Sequence, residues 1–328
     1  MTGNVIANTD PAIRAIVHSQ LLLEVLQDGF LPEGLFRDVT DFGDGTTLQI
    51  PTIGEMTLFD LVEEQDTPVS PLDTGTINLT ITEQVGVAGT VSDDLKEDGY
   101  KAAAVEAHIV PSALRSIKER YETDMLATAV STANSMITLA NPNTINGFDH
   151  RWIANGTNNT ITIEDFLYAK LAFDKANVPA EGRIFIVDPI CEATINNLTG
   201  ISDVTYNPMF QGMITTGFAR DRKFLRNIFG FDIWTSNRLP RITSEAITPG
   251  TGSPGDTSIT NGVNNIAMCI ADDTCKPFMG AIRRMPRVEG KRNISKRRDE
   301  FHLSARWGFA PQRAESLISV ITSETLYS

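Results

Sequence analysis

Three features of the sequence predict an α+β chain: an alternating apolar run over 76–91, an amphipathic helical stretch over 112–134, and a strand-and-helix succession over 162–240. The 328 residues suffice for one large domain or two ordinary ones. With 41% apolar and 21% charged residues, the chain has a globular balance and length enough for a real core.

Taken in order, the first element is a helix over 10–29. Asp10 suits an N-cap, Pro11 the first helical position, and Gly29 stops the run. Ile13, Ile16, Val17, Leu21 and Val25 recur at helical spacing, and Leu22, Leu23 and Leu26 widen the stripe. So apolar a helix needs cover, from its own domain or from a neighbouring subunit.

Residues 46–53 (TTLQIPTI) and 76–91 (TINLTITEQVGVAGTV) read as strands. In the second, Ile77, Leu79, Ile81, Val85, Val87 and Val91 all fall on odd positions, a period of two. Sixteen residues exceed the usual strand of about 5–6 and would extend about 50 Å. Gly86 and Gly89 are the predicted points of bending or breaking. Two such arms around the tip 54–75 (GEMTLFDLVEEQDTPVSPLDTG) predict a long protruding hairpin. A lone hairpin is marginal in water, so its partner surface is expected from another chain.

Helix follows. Residues 98–110 are Ala-rich, and Pro111 ends or kinks that stretch. Leu114, Ile117, Tyr121 and Met125 then mark the apolar face of a strut over 112–134, about 35 Å long. Turn-rich sequence at 140–160 changes the unit. Thr162 with Asp165 predicts a capped helix to about Ala176, Arg183–Val187 (RIFIV) a buried strand, and Asp188-Pro189 a second capped helix. A strand is predicted after Gly230, a loop over 243–264, strands at 265–271 and 301–309, and a closing apolar run at 314–322.

The charge is uneven. The net charge is -13, yet residues 1–98 hold eighteen acids and three bases, so the remaining 230 residues net about +2. Within them, 283–298 (RRMPRVEGKRNISKRR) carries eight bases and one acid. An acidic chain is not the footprint of a general nucleic-acid binder. The strip also lacks interleaved aromatics for stacking on bases. The acidic hairpin tip is the more economical partner. Asp60, Glu63, Glu64, Asp66 and Asp73 of one subunit are therefore expected to meet Arg283, Arg284, Arg287, Lys291, Arg292, Lys296, Arg297 and Arg298 of the next.

The four histidines (18, 108, 150, 302) do not pair at ligand spacing, and Cys269 and Cys275 stand six apart. Gly250-Thr-Gly252-Ser-Pro-Gly255 matches G-x-G-x-x-G in form, but neither flank gives the strand and helix that a dinucleotide site needs. Acid pairs such as Glu63-Glu64 and Asp93-Asp94 do not converge on one face. No catalytic residue, cofactor or metal is expected. The first residues lack a signal peptide's pattern, and no apolar run is long enough for a membrane span, so no membrane partner is expected either.

The order of parts resembles the major capsid protein of tailed bacteriophages, with its Hong Kong 97 fold. The resemblance is carried by TLQIPTIGEMTLFD into the hairpin, VPAEGRIFIVDP at 178–189, NIFGFDIWTSNRLP at 227–240 and FHLSARWGFAPQRAESLISV near the end. It implies an N-terminal arm (1–43), an extended loop (44–93), a peripheral domain (94–138 and 283–328) built on a spine helix, and an α/β axial domain (139–282). It further implies a structural, non-enzymatic protein of the virion, made in the host bacterial cytoplasm. That protein would assemble with itself into pentamers and hexamers of an icosahedral head. The head would enclose double-stranded DNA without reading its sequence. A separate scaffolding protein and a portal are implied partners, with cement proteins as optional outer ones. Two other readings stand beside it: an encapsulin-like shell around protein cargo, and a soluble α/β enzyme suggested by 162–240.

Overall fold

The structure, a computed structural model, describes residues 31, 34–39, 45–54, 58–61, 63–64, 66, 74–98, 102–130, 143–198, 227–250 and 252–324, with the backbone alone at 95, 98 and 102–108. The helix expected over 10–29 and Asp73 of the tip lie outside these residues.

Two sheets organise the chain. The first has four strands in the order β1-β13-β14-β4, with β1 at Arg37–Asp38, β4 at Glu83–Ser92, β13 at Phe278–Asn293 and β14 at Arg298–Pro311. A short helix α1 (Asp93–Asp98) and a long helix α2 (Ala102–Thr128) follow β4. The α2 stripe of Val110, Ala113, Leu114 and Ile117 packs on Leu303, Ala305 and Trp307 of β14. Each of the Val, Leu and Ile side chains among them, fully buried, contributes about 2 kcal/mol. Trp307 also donates its indole N–H to Asp124 of α2 at 3.2 Å, which fixes the helix along the strand.

The second sheet has seven strands. Its path runs β7 (Arg151–Ile153), β15 (Leu317–Ser323), β12 (Ser258–Cys269), β8 (Arg183–Val187), β10 (Phe231–Thr235), β9 (Asn227–Ile228), with β11 (Arg241–Ala246) paired to β12. Period-two alternation sends its apolar residues to both faces. Phe185, Val187, Ala267, Ile318 and Val320 meet Phe166, Ala169 and Phe173 of α3 (Ile163–Lys175). Ile184, Ile186, Ile266, Met268 and Leu317 meet Met125 and Leu126 at the end of α2, together with Leu35. Burial on both faces is why RIFIV reads as an unbroken apolar run. Helix α4 (Pro189–Asn197) begins at the Asp188 cap, whose carboxylate accepts from the Ile190 amide at 3.0 Å.

The hairpin is present as β2 (Thr47–Ile53) against β3 (Thr74–Thr80), in register from Thr47↔Thr80 to Ile53↔Thr74. Leu48, Ile50 and Ile77 of its stem pack beside Leu79 and Ile81, against Met279, Ala281 and Ala310. Two short strands, β5 (Thr144–Ile145) and β6 (Phe148–Asp149), make a further small hairpin.

Four elements differ from or complete the expectations. The run 76–91 breaks at Ile81–Thr82 and not at Gly86 or Gly89, because β3 pairs with β2 whereas β4 pairs with β14. Pro111 does not divide two helices; α2 runs through it. The loop placed at 243–264 is occupied by β11 and the start of β12, leaving a connection of about eleven residues. The closing strand β15 belongs to the seven-stranded sheet between β7 and β12, so 317–323 does not share a sheet with the four strands beside α2.

Candidate assembly surface

Among the described residues the hairpin tip holds the most exposed apolar side chains. Leu58 is 93% and Leu61 77% exposed, Phe59 37%, and Ile53 at the end of the stem 73%. Asp60 sits among them and Glu63, Glu64 and Asp66 follow, all exposed. Glu64 takes a positive φ of 68°, which turns the chain at the tip. A monomer gains nothing by exposing Leu58 and Leu61 together; covered by a partner, each would remove apolar area from water.

The basic strip lies along the β13–β14 hairpin and its turn. Its start is irregular, with register shifts between Ile282 and Arg284 and between Arg284 and Arg287. Beyond them the strip is partly neutralised within the chain. Arg292 holds Asp93 with both terminal nitrogens at 2.7 Å and reaches Asp299 at 3.1 Å. Lys96 pairs with Asp299. Arg298 pairs with Glu300 at 2.7 Å, and Arg287 with Glu289 at 3.4 Å. Arg284 bonds the Ser304 hydroxyl at 3.3 Å.

These pairs leave a signature on the carboxylates. The Arg292 hydrogen bonds hold Asp93 below the usual range. For Asp299 burial works upward, but Lys96 and Arg292 together outweigh it and the value is lowered. Arg298, then Asn293, hold Glu300 down. Arg292 is correspondingly raised by Asp93 and Asp299. The Arg292–Asp93 pair has no local signature in the sequence because Asp93 is 199 residues away, brought close by the β4–β14 pairing.

Lys291, Lys296 and Arg297 have no salt bridge among the described residues and crowd the hairpin's outer end, beside Ile294, which is 83% exposed. No ion pair joins Asp60, Glu63, Glu64 or Asp66 to the strip within the chain, among the described residues.

Gly250–Gly255 lies in the β11–β12 connection, where the Gly250 amide donates to Asp149 and Gly252 has φ of 87°. Asp165, raised by burial, closes the cap of α3 and accepts from the Trp152 indole at 3.1 Å. Cys191 is raised by burial and Cys269 likewise, so neither is a ready thiolate. Among the described residues no group of three or more His, Cys, Asp or Glu could hold a metal ion, and no helix is long and apolar enough to cross a membrane.

With two sheets, a spine-like helix and a projecting hairpin in place, comparison with known proteins is specific. A sequence profile of the phage capsid protein family matches residues 80–320. No curated protein matches the sequence. Among solved structures, the capsid of Cyanophage P-SCSP1u superposes with a TM-score of 0.62 at 14% identity, covering 91% of this chain and 92% of that one. The mature capsid of bacteriophage PhiM1 gives 0.60 at 11%, covering 92% and 90%, and that of Ralstonia phage GP4 gives 0.57 at 11%, covering 90% and 88%. The chain belongs to the phage capsid protein family and builds the Hong Kong 97-type fold of a tailed phage's major capsid protein.

Proposed function

We propose that this capsid protein assembles with itself into pentamers and hexamers that close an icosahedral head around double-stranded DNA, contacting the DNA without reading its sequence. The observation that carries the reading is the projecting β2–β3 hairpin, whose apolar and acidic tip the chain leaves uncovered. In this scheme residues 1–43 are the arm, 44–93 the extended loop, and 139–282 the axial domain. The spine helix and the β13–β14 hairpin form the peripheral domain, with β15 returning to the axial sheet. The protein acts as a structural element with no catalytic step. It is made in the bacterial host, and a scaffolding protein and a portal take part in building the head.

Between subunits, the acids Asp60, Glu63, Glu64, Asp66 and Asp73 of one tip face the basic strip of the next, above all Lys291, Lys296 and Arg297, which lack a salt bridge among the described residues. Negative-stain images of the expressed protein test the shell. Particles of tens of nanometres are expected, and a monodisperse monomer or dimer would overturn the reading. The nucleic-acid content of filled particles separates a DNA container from a shell around protein cargo. Assembly across a salt series tests the charged contact, which should weaken as the Debye length shrinks from about 10 Å toward 3 Å.

A further inference from the structure

We propose that the segment Leu58–Leu61 is an apolar anchor, and that it seats in a cavity beside the hairpin stem of a second copy of this chain. The proposal rests on the shell reading above and names the seat of the tip. The cavity, about 360 Å³, opens between β1, the β2–β3 stem and the start of β13. Half of its lining residues are apolar, namely Val39, Ile50, Ile53, Ile77 and Met279, and the rest are polar or charged. Its volume accommodates two or three aliphatic side chains, at roughly 100 Å³ each by the packing of protein interiors.

Three observations select the occupant. The tip sets one acid among three apolar side chains, Leu-Phe-Asp-Leu over 58–61, and the cavity answers with an apolar half of its lining beside Arg37 and Arg313. Glu315 also lines it, so the cavity's charge nets to one positive, matched by the one carboxylate of Asp60. The chain's own tip does not fill the cavity, since Leu58 and Leu61 remain 93% and 77% exposed.

The anchor and the charged contact are compatible. Met279 at the cavity and Arg283 at the start of the strip are four residues apart on β13, about 13 Å at strand rise. Leu61 and Asp66 are five residues apart, and an extended chain covers up to about 17 Å. A tip seated by Leu58–Leu61 can therefore lay its later acids along β13 of the same partner.

A charge exchange tests the seat. Asp60 and Arg313 are both exposed and neither has a salt bridge among the described residues, so Asp60→Arg and Arg313→Glu should melt as the wild type does. Each single variant is expected to lose roughly tenfold in particle yield, about 1.4 kcal/mol at the contact. An equimolar mixture of the two variants should regain part of the yield, because a tip finds an opposite charge wherever its neighbour is the other variant. Recovery in the double variant without recovery in the mixture would place the contact within one chain and overturn the proposal. Wild-type yields from both single variants would overturn the anchor while leaving the shell reading intact. Absence of particles from the wild type would remove the shell reading itself. Leu58→Ser with Leu61→Ser, expected to reduce yield without altering the melt, checks the apolar half, and undiminished assembly there would also overturn it.

Discussion

Asp93, the first residue of α1, receives both terminal nitrogens of Arg292 at 2.7 Å, and so ties the start of the spine to the far end of the β13–β14 hairpin. Asp299 extends the knot by accepting from Arg292 and pairing with Lys96. The strip is thus a brace inside the subunit as well as a candidate surface between subunits.

This brace carries a pH dependence. Asp93, Asp299 and Glu300 are all lowered in the folded chain. A depressed carboxylate contributes stability that is fully present above its unfolded value, about 4, and is lost as pH falls through the folded value. The melting-temperature gap between wild type and Asp93→Asn should therefore be open at pH 6 and shrink steadily below about pH 4. A gap that stays constant down to pH 2 would show that the charge of Asp93 is not what matters.

How far this was readable in the sequence depended on whether the cause was local. The α3 cap was readable because Thr162 and Asp165 are three residues apart and bond each other. The Asp188-Pro189 start and the two-faced strand at 183–187 were readable for the same reason. The break at Ile81–Thr82 was not, since odd-numbered burial continues across it and only the choice of partner strand changes. Residues 283–293 were read as a charge strip and not as a strand, because much of β13 is exposed on both faces and its register slips twice. The apolar tip residues stood in plain view at Leu58 and Leu61; the cavity that answers them is assembled from β1, β2, β3 and β13 and has no local signature.

Arg238 closes a second long-range contact. Glu122 of α2 is only 4% exposed, accepts from Ser236 at 2.6 Å and from Arg238 at 3.0 Å, while Glu119 takes Arg238's other nitrogen at 3.2 Å. Arg238→Ala leaves a buried carboxylate short of its cation, so a loss of about 3 kcal/mol is expected. Urea unfolding measures it, and hydrogen exchange should rise first in the second half of α2. A loss below about 0.5 kcal/mol would mark the pair as no stronger than a surface one.

Gly308 is required for a different reason. A Cβ there would stand 2.5 Å from the Thr80 carbonyl oxygen and 2.8 Å from the Ile81 Cα, at the point where β3 gives way to β4. Both obstacles are backbone, so Gly308→Ala should cost about 1–3 kcal/mol through overpacking. Gly290→Ala in the same sheet is the control, since its nearest contact would be the Phe301 ring at 3.9 Å. Equal denaturation midpoints for the two variants would refute the steric account.

Pro111 offers the opposite sign. It sits inside α2, where it has no N–H to give the carbonyl of residue 107 and its ring crowds that same carbonyl. An interior proline costs a helix about 3 kcal/mol relative to alanine, so the fold carries this residue against local preference. The Val110, Ala113 and Leu114 contacts with β14 flank it and hold the helix together across the gap. Pro111→Ala restores the missing donor without removing any of those side chains, and should raise the melting temperature of the unassembled subunit. If the same variant also assembles poorly, the proline sets a helix shape that the shell requires and the lone subunit does not. A lower melting temperature would instead show that the Pro111 ring itself packs productively, and that its cost is already recovered within the subunit.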